Sequence, residues 1–302
     1  MAGVLPGPEH SHDLAIAPGS VTWRYASDAR AMLGAGAALL LQVAHPTVAA
    51  GVREHSDFER DPWGRLLRTL DFVNLLIYGG PDAAARTGRA VREMHKTIKG
   101  TAPDGRRYHA LEPEAYAWVH ATLAEVIVRS HRLFGRRLSP PELEVFYGEW
   151  RDVGRLLGVR ERDLPGDWAG FRAYIDRMVD ERLEDNDVVH AVLRSLDSPQ
   201  APPIGALPDG AWRVLALPAS RVMHLATVGL LPRALRDKLG LEWSGRERLE
   251  LKMVGAVTRR ATPVMPGWLR RTGPGYLRAR EEAIAHGQFA ANASRSRAEV
   301  AH

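Results

Sequence analysis

The chain has 302 residues, of which 45% are apolar and 25% are charged, a composition typical of a globular protein of one large or two ordinary domains. It has no cysteine, which excludes disulfides, zinc–thiolate sites, iron–sulfur clusters, cysteine nucleophiles and a thiolate-ligated haem. The formal charge is +5, but the basic residues form scattered pairs without interleaved aromatic side chains, so we expect no nucleic-acid binding.

The first 18 residues are polar, contain Pro and His, and predict a flexible arm. They lack the pattern of a signal peptide, so we expect a cytoplasmic protein. The longest apolar run, residues 31–44, is about 14 residues long, whereas a membrane-spanning helix needs about 20. It therefore predicts a central buried helix that begins after a cap at Ser27 or Asp28, and no integral membrane segment. Pro46 is predicted to kink or restart this helix after His45.

Apolar periodicity and end signals predict the next helices. A stripe over residues 64–78 ends at Gly79-Gly80, and Pro81 opens a helix that runs to Lys99. Asp104-Gly105 is a turn signal, and a short hairpin is predicted to include residues 107–111. An amphipathic helix over 112–134 is closed by Gly135. Ser139 and Glu142 form a capping-box pattern that opens a helix to about Leu157, stopped by Gly158.

Beyond Gly158, the same signals predict a series of shorter helices. They cover residues 168–183, 187–196, 211–215, 219–229, 232–239, 244–260 and 276–287. The Pro- and Gly-rich residues 198–210 are interpreted as a surface crossing, and residues 288–302 as a disordered tail. The sequence thus predicts an all-α, single-domain helical bundle over residues 19–287.

Without thiols, histidines are the informative candidates for chemistry. A di-iron carboxylate site needs Glu-x-x-His on two facing helices, but this spacing occurs only at Glu9–His12 and Glu299–His302, in the predicted tails. The zincin motif, the phosphate-binding glycine loops and the nucleophile elbow are absent from the sequence. Single histidines on apolar helix faces remain.

Three residues, His120, Arg92 and His45, carry two interpretations each. His120 shares a helix face with Tyr116, and either bonds a core carbonyl or binds a cofactor. Arg92 and His95 are one turn apart, and the arginine requires either a protein carboxylate or a ligand anion such as a haem propionate. His45 is predicted to lie at the C-terminal end of the buried helix, where a proton is favoured, and either makes a helix-end hydrogen bond or faces a pocket. One helical imidazole in an apolar bundle is compatible with b-type haem.

Four segments in combination resemble the DUF2236 family, which includes MpaB-type oxygenases and the catalytic domain of latex-clearing rubber oxygenases. They are QVAHPTVAAGVREHSDFERDPWGRLLRT (42–69), VREMHKTIKG (91–100), GRRYHALEPEAYAWVHATL (105–123) and VFYGEWRDVGRLLGV (145–159). The resemblance runs from about Tyr25 to Tyr276. It implies a globin-like helical core, a b-type haem and oxygenase activity on an apolar substrate with dioxygen.

The resemblance also implies roles for individual residues. His120, in the stretch Trp118–Thr122, matches the proximal iron ligand, and Arg92 matches an arginine of the preceding long helix. The rubber oxygenases have Lys and Thr about one turn after that arginine. Here the stretch reads His95-Lys96-Thr97, in a different register, and Lys96 and Thr97 are kept with Tyr116 as cofactor-binding candidates. His95 and His45 would be polar groups of the pocket, with apolar walls from residues 39–43 and 70–77.

Two features depart from the rubber oxygenases. Their catalytic glutamate has no counterpart within residues 66–77, and no secretion signal is expected; both argue against cleavage of polyisoprene. Three hypotheses follow: a haem-b-dependent oxygenase acting on a lipid, terpenoid or other apolar small molecule; a haem or hydrophobic-ligand carrier or sensor without turnover; or a helical protein without cofactor that serves protein association. A homodimer is left open.

Overall fold

The computed structural model describes residues 13–197, 209–270, 273 and 275–279. The first half of the chain forms α1 (Val21–Ala26), α2 (Ala35–Val43), α3 (Pro46–His55), α4 (Pro62–Tyr78), α5 (Gly80–Thr97), α6 (Pro113–Phe134) and α7 (Pro140–Leu157). The second half forms α8 (Trp168–Glu181), α9 (Asp187–Asp197), α10 (Asp209–Leu230), α11 (Arg233–Lys238), α12 (Gly245–Ala261) and α13 (Gly267–Arg270). Short 3-10 helices lie at Ala29–Gly34, Glu161–Asp163 and Thr262–Val264.

The predicted hairpin is the one described sheet. Strands β1 (Lys99–Thr101) and β2 (Arg107–His109) pair antiparallel, with Gly100 opposite Tyr108. The described residues outside it form helices, turns and loops, so the all-α prediction is confirmed. Most of the N-terminal arm, residues 198–208 and the tail 288–302 lie outside the described residues, as does most of the predicted helix 276–287.

Local signals set the ends of α7 as the sequence predicts. The Ser139 side chain and Glu142 form the capping box at its start, with prolines in the first turn. Gly158 ends the helix in the left-handed conformation, at φ 84°, which an L side chain rarely adopts. A second capping box, Ser244 with Glu247, opens α12.

The prediction of one helix over residues 31–44 is wrong in its first part. Residues Ala29–Gly34 wind as a 3-10 helix, and α2 begins only at Ala35. The reason is close packing on α6, because a Cβ built on Gly34 would reach the Ser130 hydroxyl at 2.5 Å. The prediction of two short helices within 211–229 is also wrong, since α10 continues through Pro218.

A sharp corner separates α2 from α3. The segments Ala29–Val43 and Pro46–His55 are bent by 105° at the break between them. The sequence predicted that Pro46 would kink or restart the helix, and the structure confirms a restart with Pro46 in the first turn of α3. Among the described helices no single one is long and apolar enough to cross a membrane, although this bent pair meets the length and composition test together.

Helix α6 runs through the centre of the fold. Its Trp118, Thr122 and Glu125 side chains are fully buried, and the Trp118 indole N–H donates to the Leu41 carbonyl of α2 at 2.8 Å. The Gln42 amide donates to the Thr122 hydroxyl at 3.0 Å. Because α2, α7 and α12 all pack on α6, the residues of this helix reach both sides of the core.

Candidate functional site

His120 lies in the middle of α6 and is almost completely buried, with 3% of its surface exposed. Its Nε2–H donates to the Trp150 carbonyl of α7 at 2.8 Å, while Nδ1 has no hydrogen-bond partner. Burial lowers the pKa of His120 to about 4, although the bond to the Trp150 carbonyl raises it in part. The imidazole is therefore neutral at pH 7, with an available lone pair on Nδ1.

Helix α7 holds this imidazole from two sides. The Trp150 ring stacks on His120 with centroids 5.3 Å apart, and the Trp150 indole N–H donates to the His120 carbonyl at 3.1 Å. Gly154 lies one turn further along α7, where a Cβ would stand 2.9 Å from His120 Nε2. The position of the imidazole thus depends on Trp150 and Gly154, which follow His120 by 30 and 34 positions. No local sequence signal indicates contacts over this distance.

Tyr116 extends the site by one turn of α6. Its hydroxyl donates to the Leu157 carbonyl at the end of α7, at 2.9 Å, and its ring meets His95 of α5 edge-on with centroids 5.6 Å apart. Burial raises the pKa of Tyr116 to about 12, while the positive charge of Arg92 acts to lower it. The structure therefore brings Arg92 and His95 of α5 near Tyr116 and His120 of α6, and α7 contributes the carbonyls that bond the last two.

His95 is a neutral, oriented imidazole. Its Nδ1–H donates to the Val91 carbonyl at 2.7 Å, so the neutral ring carries its acceptor lone pair on Nε2. Burial lowers the pKa of His95, and the charge of Arg65 lowers it further. Arg65 of α4, which sequence reasoning missed, donates to the Ser56 hydroxyl at 2.8 Å.

His45 belongs to a different part of the fold. It directly follows the C-cap of α2, where its backbone N–H donates to the Gln42 carbonyl at 3.1 Å, and it is at the same time the N-cap residue of α3. Its Nε2 lies 3.6 Å from the Glu114 carboxylate in the first turn of α6. Burial lowers the pKa of His45 against the opposing effects of Glu114 and Glu112. On a helical wheel Glu114 points well away from His120, so His45 does not join the group around it.

Lys96 and Thr97 lie at the exposed end of α5. The Lys96 ammonium pairs with Glu93 at 2.6 Å, and the Thr97 hydroxyl donates to the Met94 carbonyl at 2.8 Å. Both side chains thus bond within their own helix at the surface. Their role in cofactor binding stays a prediction, and we leave them out of the group formed by Arg92, His95, Tyr116 and His120.

A comparison with known protein families assigns the chain. Residues 23–260 match the family described as the catalytic domain of ER-bound oxygenase mpaB/B′ and rubber oxygenase. The chain belongs to this family. The resemblance seen in the sequence is thereby confirmed, and membership in an oxygenase family implies dioxygen and an oxidisable substrate as reactants.

Curated relatives of this oxygenase domain carry no assigned activity. An uncharacterized protein of Mycobacterium bovis and one of Mycobacterium tuberculosis are each 27% identical to the chain over 239 residues, covering 78% of this chain and 90% of the relative. No solved structure matches the chain with significance.

Glu125 is the fully buried glutamate of α6, but it does not join the group around His120. Its two carboxylate oxygens pair with Arg129 and Arg172. Burial would raise the pKa of Glu125, yet the two arginines hold it below its ordinary value. Glu125 lies on a different face of α6 from His120, so it stabilises the fold as an ion triad. A glutamate inside an apolar run, with arginine four positions later, was the sequence signal for it.

The described residues hold no cluster of three or more His, Asp or Glu side chains placed to bind a metal ion. A haem iron needs only one such ligand from the protein, so this finding leaves His120 as a candidate. One pocket lies between α6, α10 and α12, and another lies beside Arg151 and Leu164. His120 lines neither of them.

Proposed function

We propose that this chain is a haem-dependent oxygenase that acts on an apolar small molecule, with His120 as the ligand of the iron. The observation that carries the proposal is the group of Arg92, His95, Tyr116 and His120 inside a domain of the oxygenase family. When bound, haem b supplies the binding and activation of dioxygen.

The donor chemistry of His120 suits an axial ligand. A pKa of about 4 keeps the imidazole neutral, as metal ligation requires. One ring nitrogen is bonded to a backbone carbonyl, the common arrangement that orients a ligating histidine, and the other has no hydrogen-bond partner. The stacked Trp150 ring covers one face of the imidazole and leaves the in-plane lone pair of Nδ1 available.

The residues near His120 supply charged and hydrogen-bonding groups that suit this function. Arg92 and Arg65 supply positive charge near Tyr116 and His95, which favours a carboxylate or a reduced oxygen species over a neutral group. Nε2 of His95 is positioned to accept a proton or a hydrogen bond, since Nδ1 is held by Val91. Tyr116 keeps its proton and links the ends of α6 and α7 through Leu157.

Haem titration of the full chain tests the proposal, with His131 as the matched control. His131 is buried on the same helix, its Nε2–H donates to the Tyr25 carbonyl at 2.9 Å, and its Nδ1 also lacks a partner. It faces Asp28 and Arg30 instead of the Tyr116 group. We expect a saturable Soret band in the wild type and in His131→Gln, and its loss in His120→Gln with unchanged helical circular dichroism.

Two results would overturn the haem assignment. The first is no Soret band in the wild type after reconstitution. The second is a Soret band whose intensity and titration midpoint are the same in His120→Gln and the wild type. That result would show that a residue other than His120 binds the iron.

A second candidate function is a carrier of haem or of a hydrophobic ligand, without turnover. It is favoured because two carboxylates of α6 are already paired with arginines. Glu125 is committed to Arg129 and Arg172, and Glu114 pairs with Arg182 at 3.1 Å, so neither is free to act as a base beside His120. Oxygen uptake by the haem-loaded chain with a panel of terpenoids and unsaturated fatty acids separates the two functions. Substrate-dependent uptake supports the oxygenase, and its absence across the panel favours the carrier.

A further inference from the structure

The pocket between α6, α10 and α12 is lined by several basic side chains. It has a volume of about 210 Å³ and lies where the C-terminal half of α6, the end of α10 and helix α12 meet. Its basic lining residues are Arg129, Arg132, Arg236, Arg248 and Lys252, and its lining contains no carboxylate.

Most of this charge is not neutralised by the protein. Arg129 pairs with Glu125, and Arg236 donates to the Leu231 carbonyl at 2.9 Å. Within the described part of the chain, Arg132, Arg248 and Lys252 form no ion pair. Burial lowers the pKa of Arg236 and the Asp237 carboxylate acts to raise it, while the charges of Arg129 and Arg248 lower it further.

An apolar wall faces these cations. Trp243 and Leu251 form it, and the Arg236 guanidinium lies over the Trp243 ring at 5.5 Å from the centroid. Gly229 of α10 permits this arrangement, because a Cβ there would stand 2.9 Å from the Trp243 ring. The pocket is smaller than the roughly 300 Å³ at which drug-sized ligand sites begin, which limits the ligand to a small group.

We propose that this pocket binds a phosphate group that is attached to a small apolar moiety. Arginine forks match the oxygens of phosphate in bidentate geometry, and several clustered cations favour a multiply charged anion over a single carboxylate. The apolar wall then contacts the part of the ligand next to the phosphate.

This site is separate from the group around His120. Arg129 and Arg132 follow His120 on α6 by nine and twelve positions, which corresponds to about 14 and 18 Å at a rise of about 1.5 Å per residue. Binding of phosphate is therefore independent of haem and of the proposed oxygenase function.

Calorimetric titration of the full chain with inorganic pyrophosphate tests the proposal. The probe variant is Arg248→Gln with Lys252→Gln, which removes two pocket cations that have no ion pair. The matched control is Arg246→Gln with Arg260→Gln, which removes the same charge from the same helix outside the pocket. We expect saturable binding that weakens about tenfold or more in the probe variant and stays within about twofold in the control.

Vesicle sedimentation distinguishes the source of the phosphate. Binding to vesicles of phosphatidic acid in phosphatidylcholine, lost in the probe variant but not in the control, assigns a lipid headgroup. Pyrophosphate binding without such vesicle binding assigns a soluble phosphate ester. The proposal is overturned if the wild type binds neither probe, or if the probe and control variants lose affinity equally, since the latter would indicate net charge alone.

Discussion

The two halves of α6 differ in the charge of their polar side chains. In the N-terminal half, Tyr116 and His120 are uncharged at pH 7, because burial raises the pKa of the tyrosine to about 12 and lowers that of the histidine to about 4. In the C-terminal half, Glu125, Arg129 and Arg132 remain charged. Tyr116 and His120 donate hydrogen bonds to backbone carbonyls of α7. Glu125 and Arg129 form an ion pair, whereas Arg132 lines the pocket without one among the described residues.

The contrast shows what burial does to each residue type. A histidine can release its proton, so burial leaves a neutral ring that needs only one carbonyl partner. An arginine keeps its proton at any physiological pH, so a buried guanidinium requires an anion from the protein or from a ligand. Helix α6 therefore carries a neutral imidazole in its N-terminal half, and in its C-terminal half a buried carboxylate that pairs with arginines, next to the exposed Arg132 at the pocket.

The largest expected effect comes from the ion triad in the charged half. Glu125→Gln removes a fully buried carboxylate that pairs with Arg129 and Arg172, and leaves Arg172 with the exposed Asp176, so we expect the free energy of unfolding in urea to fall by about 3–5 kcal/mol. The control is Asp176→Asn, which removes an exposed partner 3.7 Å from the same Arg172 and should change stability by less than about 1 kcal/mol. Equal losses in the two variants would contradict this account of the charged half.

The neutral half predicts a pH dependence of stability. The unfolded chain takes up a proton on His120 as the pH falls below 6.5, the ordinary pKa of histidine, whereas the folded chain does so only at about pH 4. The contribution of His120 is therefore fully present above pH 6.5 and is lost as the pH falls through this window. Between pH 7 and pH 5.5 this residue alone should account for about 1 kcal/mol of lost stability, following the linkage relation.

Urea unfolding at these two pH values measures the effect. His120→Gln should reduce the loss of stability between pH 7 and pH 5.5. Tyr116→Phe, which deletes the bond to Leu157 but does not titrate in this range, should lower stability at both pH values and leave the difference unchanged. If His120→Gln lost as much stability between pH 7 and pH 5.5 as the wild type does, the inference that His120 is neutral in the folded state would be wrong.

A further comparison distinguishes two glycines of α7, and the Gly148 variant has the smallest expected effect. Gly154→Ala directs a methyl group to within 2.9 Å of His120 Nε2, so we expect a loss of about 1–2 kcal/mol and weaker haem uptake. A Cβ on Gly148 meets nothing within 4 Å, and Gly148→Ala should stabilise the helix by about 0.5–1 kcal/mol. Thermal unfolding of the pair provides the comparison, and a stabilised Gly154→Ala would show that the contact with His120 is not close.

The sequence determined the helices whose ends carry their own signals. Ser139, Glu142 and Gly158 fix the limits of α7, and Gly135 fixes the end of α6, because caps act over three or four residues. The segments around His45, Tyr108, His120 and Trp150 also determined the family, since they are specific in combination.

Only the tertiary structure decided which residues meet. It placed His45 opposite Glu114 on a separate face of α6, and it bonded His120 to Trp150 across 30 positions. It also assembled the cationic pocket from three distant segments of the chain, around Arg132, Arg236 and Lys252. The physical reason is the distance over which each effect acts. Helix propensity and capping act within about one turn of a helix. The burial that shifts the pKa of a side chain, or separates a cation from any carboxylate, depends on all the elements packed around that side chain.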